Sequence, residues 1–125
     1  MFFNLFKPKS SQQVGALTVT ELDPRYTVTG QISVADVAAI KAAGYGAVMC
    51  NRPDGEAAGQ PSAKQIKRAV EKAGMKFFHV PMSRSLEPNT LRDFKAVVQD
   101  DANGKVFAYC RTGNRCTMLW KAAKS

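Results

Sequence analysis

Short apolar runs alternate with segments of helical periodicity along most of this chain. That alternation predicts an α/β domain with a central, mainly parallel sheet flanked by helices. Two further observations point the same way. The chain has 125 residues with 45% hydrophobic and 22% charged side chains, enough for one core without disulfide or metal staples. Its last part passes from the apolar run Val106-Phe107-Ala108 through a glycine-bearing turn into the apolar helical segment Met118-Leu119-Trp120. Residues 1–13 read as a flexible tail ending in Lys9-Ser10-Ser11-Gln12-Gln13, and residues 14–125 as a single domain.

Each element has its own signal. Tyr26-Thr27-Val28-Thr29 alternates and is β-branched, so it is a strand. Ser33 caps a helix with Val34, Val37, Ala38 and Lys41 on one face, stopped by Gly44. Ala47-Val48-Met49-Cys50 is a buried strand, and Asn51-Arg52-Pro53-Asp54-Gly55-Glu56 is a loop. Ser62 caps a second helix carrying Ala63, Ile66, Ala69, Val70 and Ala73, ended by Gly74. Lys76–Val80 is a strand stopped by Pro81, and Glu87-Pro88 opens a helix with Leu91, Phe94, Val97 and Val98 inward. Asn103-Gly104 turns the chain into the last strand, Lys105–Tyr109. Ligands of open parallel sheets bind beyond the carboxyl ends of strands, which brings together the loops starting at Cys50, Pro81 and Cys110.

Composition narrows the function classes. Net charge is +8, which suits small anions drawn into a cleft as well as nucleic acid. Lys64, Lys67, Arg68 and Lys72 form the wet face of one helix with no aromatic residue among them, so no nucleic-acid site is read there. Three cysteines at unmatched spacings do not make a secreted disulfide framework. One histidine and no C-x-x-C pair argue against a metal site, and no cofactor is implied. No run spans a bilayer, and the apolar start Met1–Phe6 lacks a basic flank and cleavage site, so the expected location is the reducing cytoplasm, away from membranes.

The chemistry concentrates in Tyr109-Cys110-Arg111-Thr112-Gly113-Asn114-Arg115. A cysteine on a strand-to-helix turn meets backbone N–H groups and the positive end of a helix dipole. That field lowers a thiol pKa and makes the sulfur nucleophilic at neutral pH. Cys110 is therefore the expected nucleophile and Arg115 the oxyanion ligand, while Arg111, Thr112, Gly113 and Asn114 line the substrate anion. Asp54 is a candidate acid/base on a neighbouring loop, with a turn-forming role as its plainer reading. Cys50 and Cys116 are candidate redox partners of Cys110. Cys50 is slightly favoured, because Cys116 can point into the core under the loop.

In spacing, Cys110 followed by four residues and then Arg115 resembles the active loop of rhodanese sulfurtransferases. In setting it resembles the phosphate loop of cysteine-dependent phosphatases, which place five residues there. Gly30-Gln31-Ile32-Ser33, Asn51–Glu56, Gln60-Pro61-Ser62, His79-Val80-Pro81 and Tyr109–Gly113 together resemble the DUF442 family over roughly residues 17–122. That is a phosphatase-like domain found alone or fused to a β-lactamase-like persulfide-dioxygenase domain. The resemblance implies a protein-tyrosine-phosphatase-like fold and either phosphatase or sulfurtransferase activity on a small anion, with a thiol acceptor or a dioxygenase as further partner.

Two departures rank the activities. Phosphatases of this type carry an aspartate acid that often follows the strand like His79-Val80-Pro81, whereas this chain reads Met82-Ser83-Arg84-Ser85. A missing acid costs roughly 10²–10⁴ in leaving-group departure. The shorter loop also promises fewer N–H donors than three phosphate oxygens need. The expectation is therefore a sulfurtransferase forming a persulfide at Cys110. The alternative is a phosphatase forming a cysteinyl-phosphate there, and a non-catalytic anion-binding module is the third class.

Overall fold

The computed structural model describes residues 10–125. Six strands form one sheet: β1 (Ser10–Val14), β2 (Leu17–Asp23), β3 (Tyr26–Thr29), β4 (Tyr45–Cys50), β5 (Lys76–His79) and β6 (Lys105–Tyr109). Four α-helices accompany them among the described residues: α1 (Val37–Ala42), α2 (Ala63–Lys72), α3 (Pro88–Val98) and α4 (Asn114–Ala123). The strand order is β1-β2-β3-β6-β4-β5. Pairing is parallel from β3 through β6 and β4 to β5, and antiparallel where β1 and β2 join the edge of β3. The expected α/β architecture with a mainly parallel sheet is what the chain adopts.

Both faces of the parallel strands are covered, and their residues sort by the two-residue period of a strand. Val48, Cys50, Phe107 and Tyr109 face the side where Ile40 of α1 and Ile66 and Val70 of α2 pack. Ala47, Met49, Val106 and Ala108 face the other side, against Phe94 and Val97 of α3 and Leu119 of α4. Tyr26 ties the second layer together. Its ring stacks on Trp120 at 4.6 Å and meets Phe94 edge-on at 5.7 Å, and its hydroxyl donates to the Cys116 carbonyl at 3.0 Å.

Local signals explain the helix starts. Ser62 Oγ accepts from Gln65 N at 3.1 Å while Gln65 Oε1 accepts from Ser62 N at 2.9 Å, a complete capping box at α2. The basic residues Lys64, Lys67, Arg68 and Lys72 do line its solvent face.

Four details differ from the sequence reading. Leu17–Asp23, where no element is read from the sequence, forms β2. Ser10–Gln13, expected in the tail, pair with β2 as an edge strand, and the rest of that tail lies outside the described residues. Their alternation is polar on both sides, so no hydrophobic period marks them. At α1 the buried pair is Val37 and Ile40, while Val34 is 52% exposed, because a 3₁₀ turn over Val34–Asp36 rotates the face. Helix α4 begins at Asn114, directly off the turn, four residues before the apolar run Met118-Leu119-Trp120.

Phe94 is fully buried and holds α3 on the sheet through Tyr26. Phe94→Ala is expected to lower unfolding free energy by about 3–5 kcal/mol. Urea denaturation checks this, and a loss under about 1 kcal/mol would mean α3 carries little of the core.

Candidate functional site

Strand β6 runs between β3 and β4, so its end at Tyr109 delivers the chain to the middle of the sheet's carboxyl edge. Backbone bonds continue the ladder past the strand ends. Asn51 N donates to Tyr109 O at 2.8 Å, Met82 N to Asn51 O at 3.1 Å, and Cys110 N to Thr29 O at 3.3 Å. Asn51 Nδ2 also donates to Val80 O at 2.8 Å. The three loops expected to meet are thereby stitched together.

The turn after β6 closes tightly. Gly113 sits at φ 94°, in the left-handed region that favours glycine, and caps α4. Gly30 runs so near this turn that a Cβ there would stand 2.9 Å from the Arg111 carbonyl. The next residue uses that closeness, since Gln31 N donates to Arg111 O at 3.3 Å.

Cys110 is fully buried at the floor of the turn. Gly113 N donates to its sulfur at 3.0 Å, and the amides of Thr112, Arg115 and Cys116 add to the field that favours the thiolate. Its pKa is pulled down to about 5, first by the Cys116 thiol and then by these N–H groups, against the opposing cost of burial. The Cys116 thiol itself is pushed well above its ordinary value by burial and by its charged neighbour.

Arg115 opens the second turn of contacts. Nη1 donates to Glu56 Oε2 at 2.8 Å and to Met82 O at 2.8 Å, and Nη2 donates to Glu56 Oε1 at 2.8 Å. The guanidinium also lies within reach of the Cys110 sulfur. Arg52, with a side chain only 5% exposed, donates from Nε to Glu56 Oε1 at 2.9 Å and from Nη1 to Gln31 Oε1 at 3.0 Å. Arg115 and, after it, Arg52 hold the Glu56 carboxyl down to about 2.

Glu56 and Arg52 are the members that sequence reasoning passed over. Both stood in the loop motif Asn51–Glu56, but nothing in spacing showed that Glu56 faces an arginine fifty-nine positions away. Of the remaining candidates, Thr112 Oγ1 accepts from Asn114 N at 3.2 Å and shapes the turn. Arg111 and Asn114 are exposed beside it. Asp54 Oδ1 accepts from Ala63 N at 2.8 Å, which commits that oxygen to the start of α2.

The cysteines reverse the order expected for them. Cys116, in the first turn of α4, lies in the same layer as Cys110, and its thiol is the largest influence holding the Cys110 pKa down. Cys50 belongs to the opposite layer beside Tyr109, because the strand period turns it away, and its thiol donates to Arg52 O at 3.3 Å. All three are free thiols.

A parallel-centred sheet with helices on both faces, and a cysteine turn feeding a helix at its carboxyl edge, define a protein-tyrosine-phosphatase-like core, the fold of solved phosphatase catalytic cores. The chain belongs to the phosphatase-like domain family of beta-lactamase hydrolase-like proteins, whose model matches residues 18–125. It is 33% identical over 105 residues to a beta-lactamase hydrolase-like protein of Agrobacterium fabrum strain C58, covering 83% of this chain and 24% of that protein. The chain thus spans about a quarter of the length of the curated relatives it matches. Among solved structures, a candidate phosphatase of Neisseria meningitidis Z2491 superposes with a TM-score of 0.73 at 37% identity, over 80% of this chain and 71% of that one. A DUF442 protein of Shewanella putrefaciens CN-32 superposes with a TM-score of 0.74 at 17% identity, over 85% of this chain and 66% of that one, a likeness of fold. The DUF442 resemblance read from the motifs is borne out. No helix among the described residues is long and apolar enough to cross a membrane.

A thiolate with a pKa of about 5 is fully charged at neutral pH, and its absorbance is expected to vanish only as pH falls through that value. An ultraviolet titration of wild type minus Cys110→Ser isolates it. A midpoint near the ordinary thiol value of about 8.5 would remove the basis for a nucleophile.

Proposed function

We propose that this domain is a phosphatase working through a cysteinyl-phosphate at Cys110, with Arg115 as the anion ligand. The observation that carries the reading is a fully buried cysteine beside the N-terminus of α4, its sulfur taking the Gly113 amide at 3.0 Å and its pKa drawn down to about 5 by the Cys116 thiol and the loop amides. The same amides suit the oxygens of a phosphoryl group seated on that sulfur. The Neisseria relative, a candidate phosphatase at 37% identity, supports it. Together these reverse the ranking that loop spacing suggested. The thiolate attacks phosphorus, an S–P bond forms, and the ester P–O bond breaks with its electron pair on the leaving oxygen. Water then hydrolyses the S–P bond and returns the thiolate. Thr112, Gly113 and the amides of Arg115 and Cys116 bind the transferred oxygens, and Arg111 and Asn114 edge the opening.

Proton supply is the distinctive part of the reading. The Glu56 carboxyl, held down to about 2, is ionised at neutral pH and donates no proton. One Asp54 oxygen is bound to the Ala63 amide, and Glu87 accepts from Ser85 Oγ at 3.0 Å at the start of α3. The preferred substrates are therefore those whose leaving group departs as a stable anion. Sulfur transfer through a Cys110 persulfide is the second reading, favoured by the four-residue spacing of the loop. A dioxygenase domain or a small thiol would then be the acceptor.

Acid quenching during turnover of p-nitrophenyl phosphate is expected to trap one phosphoryl group on Cys110, read by intact mass and peptide mapping. Alkyl phosphates are expected to turn over more slowly than aryl phosphates by about 10²-fold or more, the usual contribution of a general acid. One added sulfur after thiosulfate, with no phosphoenzyme from any phosphate, would replace this reading with sulfur transfer. Arg115→Lys keeps a charge but loses the planar fork, so kcat/KM is expected to fall about tenfold or more, about 1.4 kcal/mol. Kinetics equal to wild type would return Arg115 to the scaffold.

A further inference from the structure

An arginine side chain has five N–H donors, and their use in Arg115 can be counted. One Nη1 hydrogen and one Nη2 hydrogen grip the two oxygens of Glu56, and the other Nη1 hydrogen goes to the Met82 carbonyl. What remains is Nε–H and the second Nη2 hydrogen. These lie side by side along a single edge of the guanidinium, the spacing that binds two oxygens of one anion. Glu56 thus takes the far edge and leaves the near one for a ligand. Glu56 in turn is anchored by Arg52, which is itself fixed at several points. Its Nη1 donates to Gln31 Oε1 at 3.0 Å, and its carbonyl receives the Cys50 thiol at 3.3 Å and lies 3.0 Å from His79 Nε2. Gln31 closes the ring, because its own N–H reaches the Arg111 carbonyl inside the cysteine turn.

We infer that Glu56, braced by Arg52, is the positioning residue that turns the free edge of Arg115 toward the anion over Cys110. The inference rests on the reading of Arg115 as anion ligand and adds what aims it. Several features suit this role better than plain stabilisation. The Glu56 side chain is 28% exposed, so an ordinary ion pair there would contribute little to folding. Its geometry is nonetheless bidentate on Arg115 and shared with a second, buried arginine. The carboxylate stays ionised across the neutral range, so the aim does not change with pH there. A glutamine at this place would offer one acceptor and turn an amide N–H donor against an arginine N–H, swinging the guanidinium off its line.

The test is a double-mutant cycle read by calorimetric affinity for inorganic phosphate, alongside kcat/KM on p-nitrophenyl phosphate and urea midpoints. Glu56→Gln is expected to weaken phosphate binding about tenfold or more, with the KM and phosphate affinity moving together. In an Arg115→Lys background the same change is expected to cost less than about twofold, since the fork it aims is gone. Should Glu56→Gln not fold, Arg52→Lys serves, because it keeps the charge and loses both the Nε bond and the Gln31 bond; a smaller, equally non-additive loss is expected. Losses that add in the double mutant, or Glu56→Gln with wild-type phosphate affinity, would overturn the inference while leaving Arg115 as ligand. Arg115→Lys with wild-type affinity would overturn the ligand reading and the inference together.

Discussion

A charged sulfur with no exposure to water is unstable in a protein interior unless other dipoles replace the solvent it has lost. Cys110 is in that position, and much of the local architecture answers it. The amide of Gly113 turns inward onto the sulfur, which goes with the left-handed backbone of Gly113 and the immediate start of α4. That turn in turn requires room on its outer side, supplied by Gly30, where even one added carbon would meet the Arg111 carbonyl. The low pKa therefore comes first from the Cys116 thiol and then from the shape of the backbone around the sulfur.

The second constraint is charge. The chain carries +8 overall, yet its site brings together two arginines and a single glutamate. Arg52 is nearly buried, and an unpaired guanidinium there would be costly. Glu56 satisfies it and Arg115 with one carboxylate, so the network is complete and retains net positive charge facing the thiolate. A local excess of positive charge of this kind favours small anions. The phosphatase-like family to which the chain belongs fits that property.

Position in the sheet supplies the rigidity. The turn leaves the central strand β6, held on both sides by parallel partners whose hydrogen bonds run past the strand ends into the loops. Antiparallel strands β1 and β2 lie at the far edge, and Thr18, Thr20 and Leu22 of β2 share a cavity with Thr112, Gly113 and Asn114 of the cysteine turn. The polar, exposed Ser11, Gln12 and Gln13 of β1 make sense at an edge, where a hydrophobic alternation would invite pairing with another chain.

Features that depend on sequence neighbours are legible in the chain itself. Apolar runs mark the four parallel strands, Ser62 marks α2, and Cys110 with Gly113 and Arg115 marks the anion turn. The polar edge strand β1 carries no period to read, and the 3₁₀ turn at Val34 rotates a helix face that spacing alone places wrongly. Which cysteine meets Cys110 depends on strand parity: Cys50 and Cys110 end neighbouring strands but face opposite layers, while Cys116 returns on the helix above. The sequence by itself determined the fold class and the cysteine turn that leads into α4. Only the tertiary structure decided that Glu56 and Arg52 stand behind Arg115, since that contact joins loops separated by two helices and two strands and is fixed by sheet order.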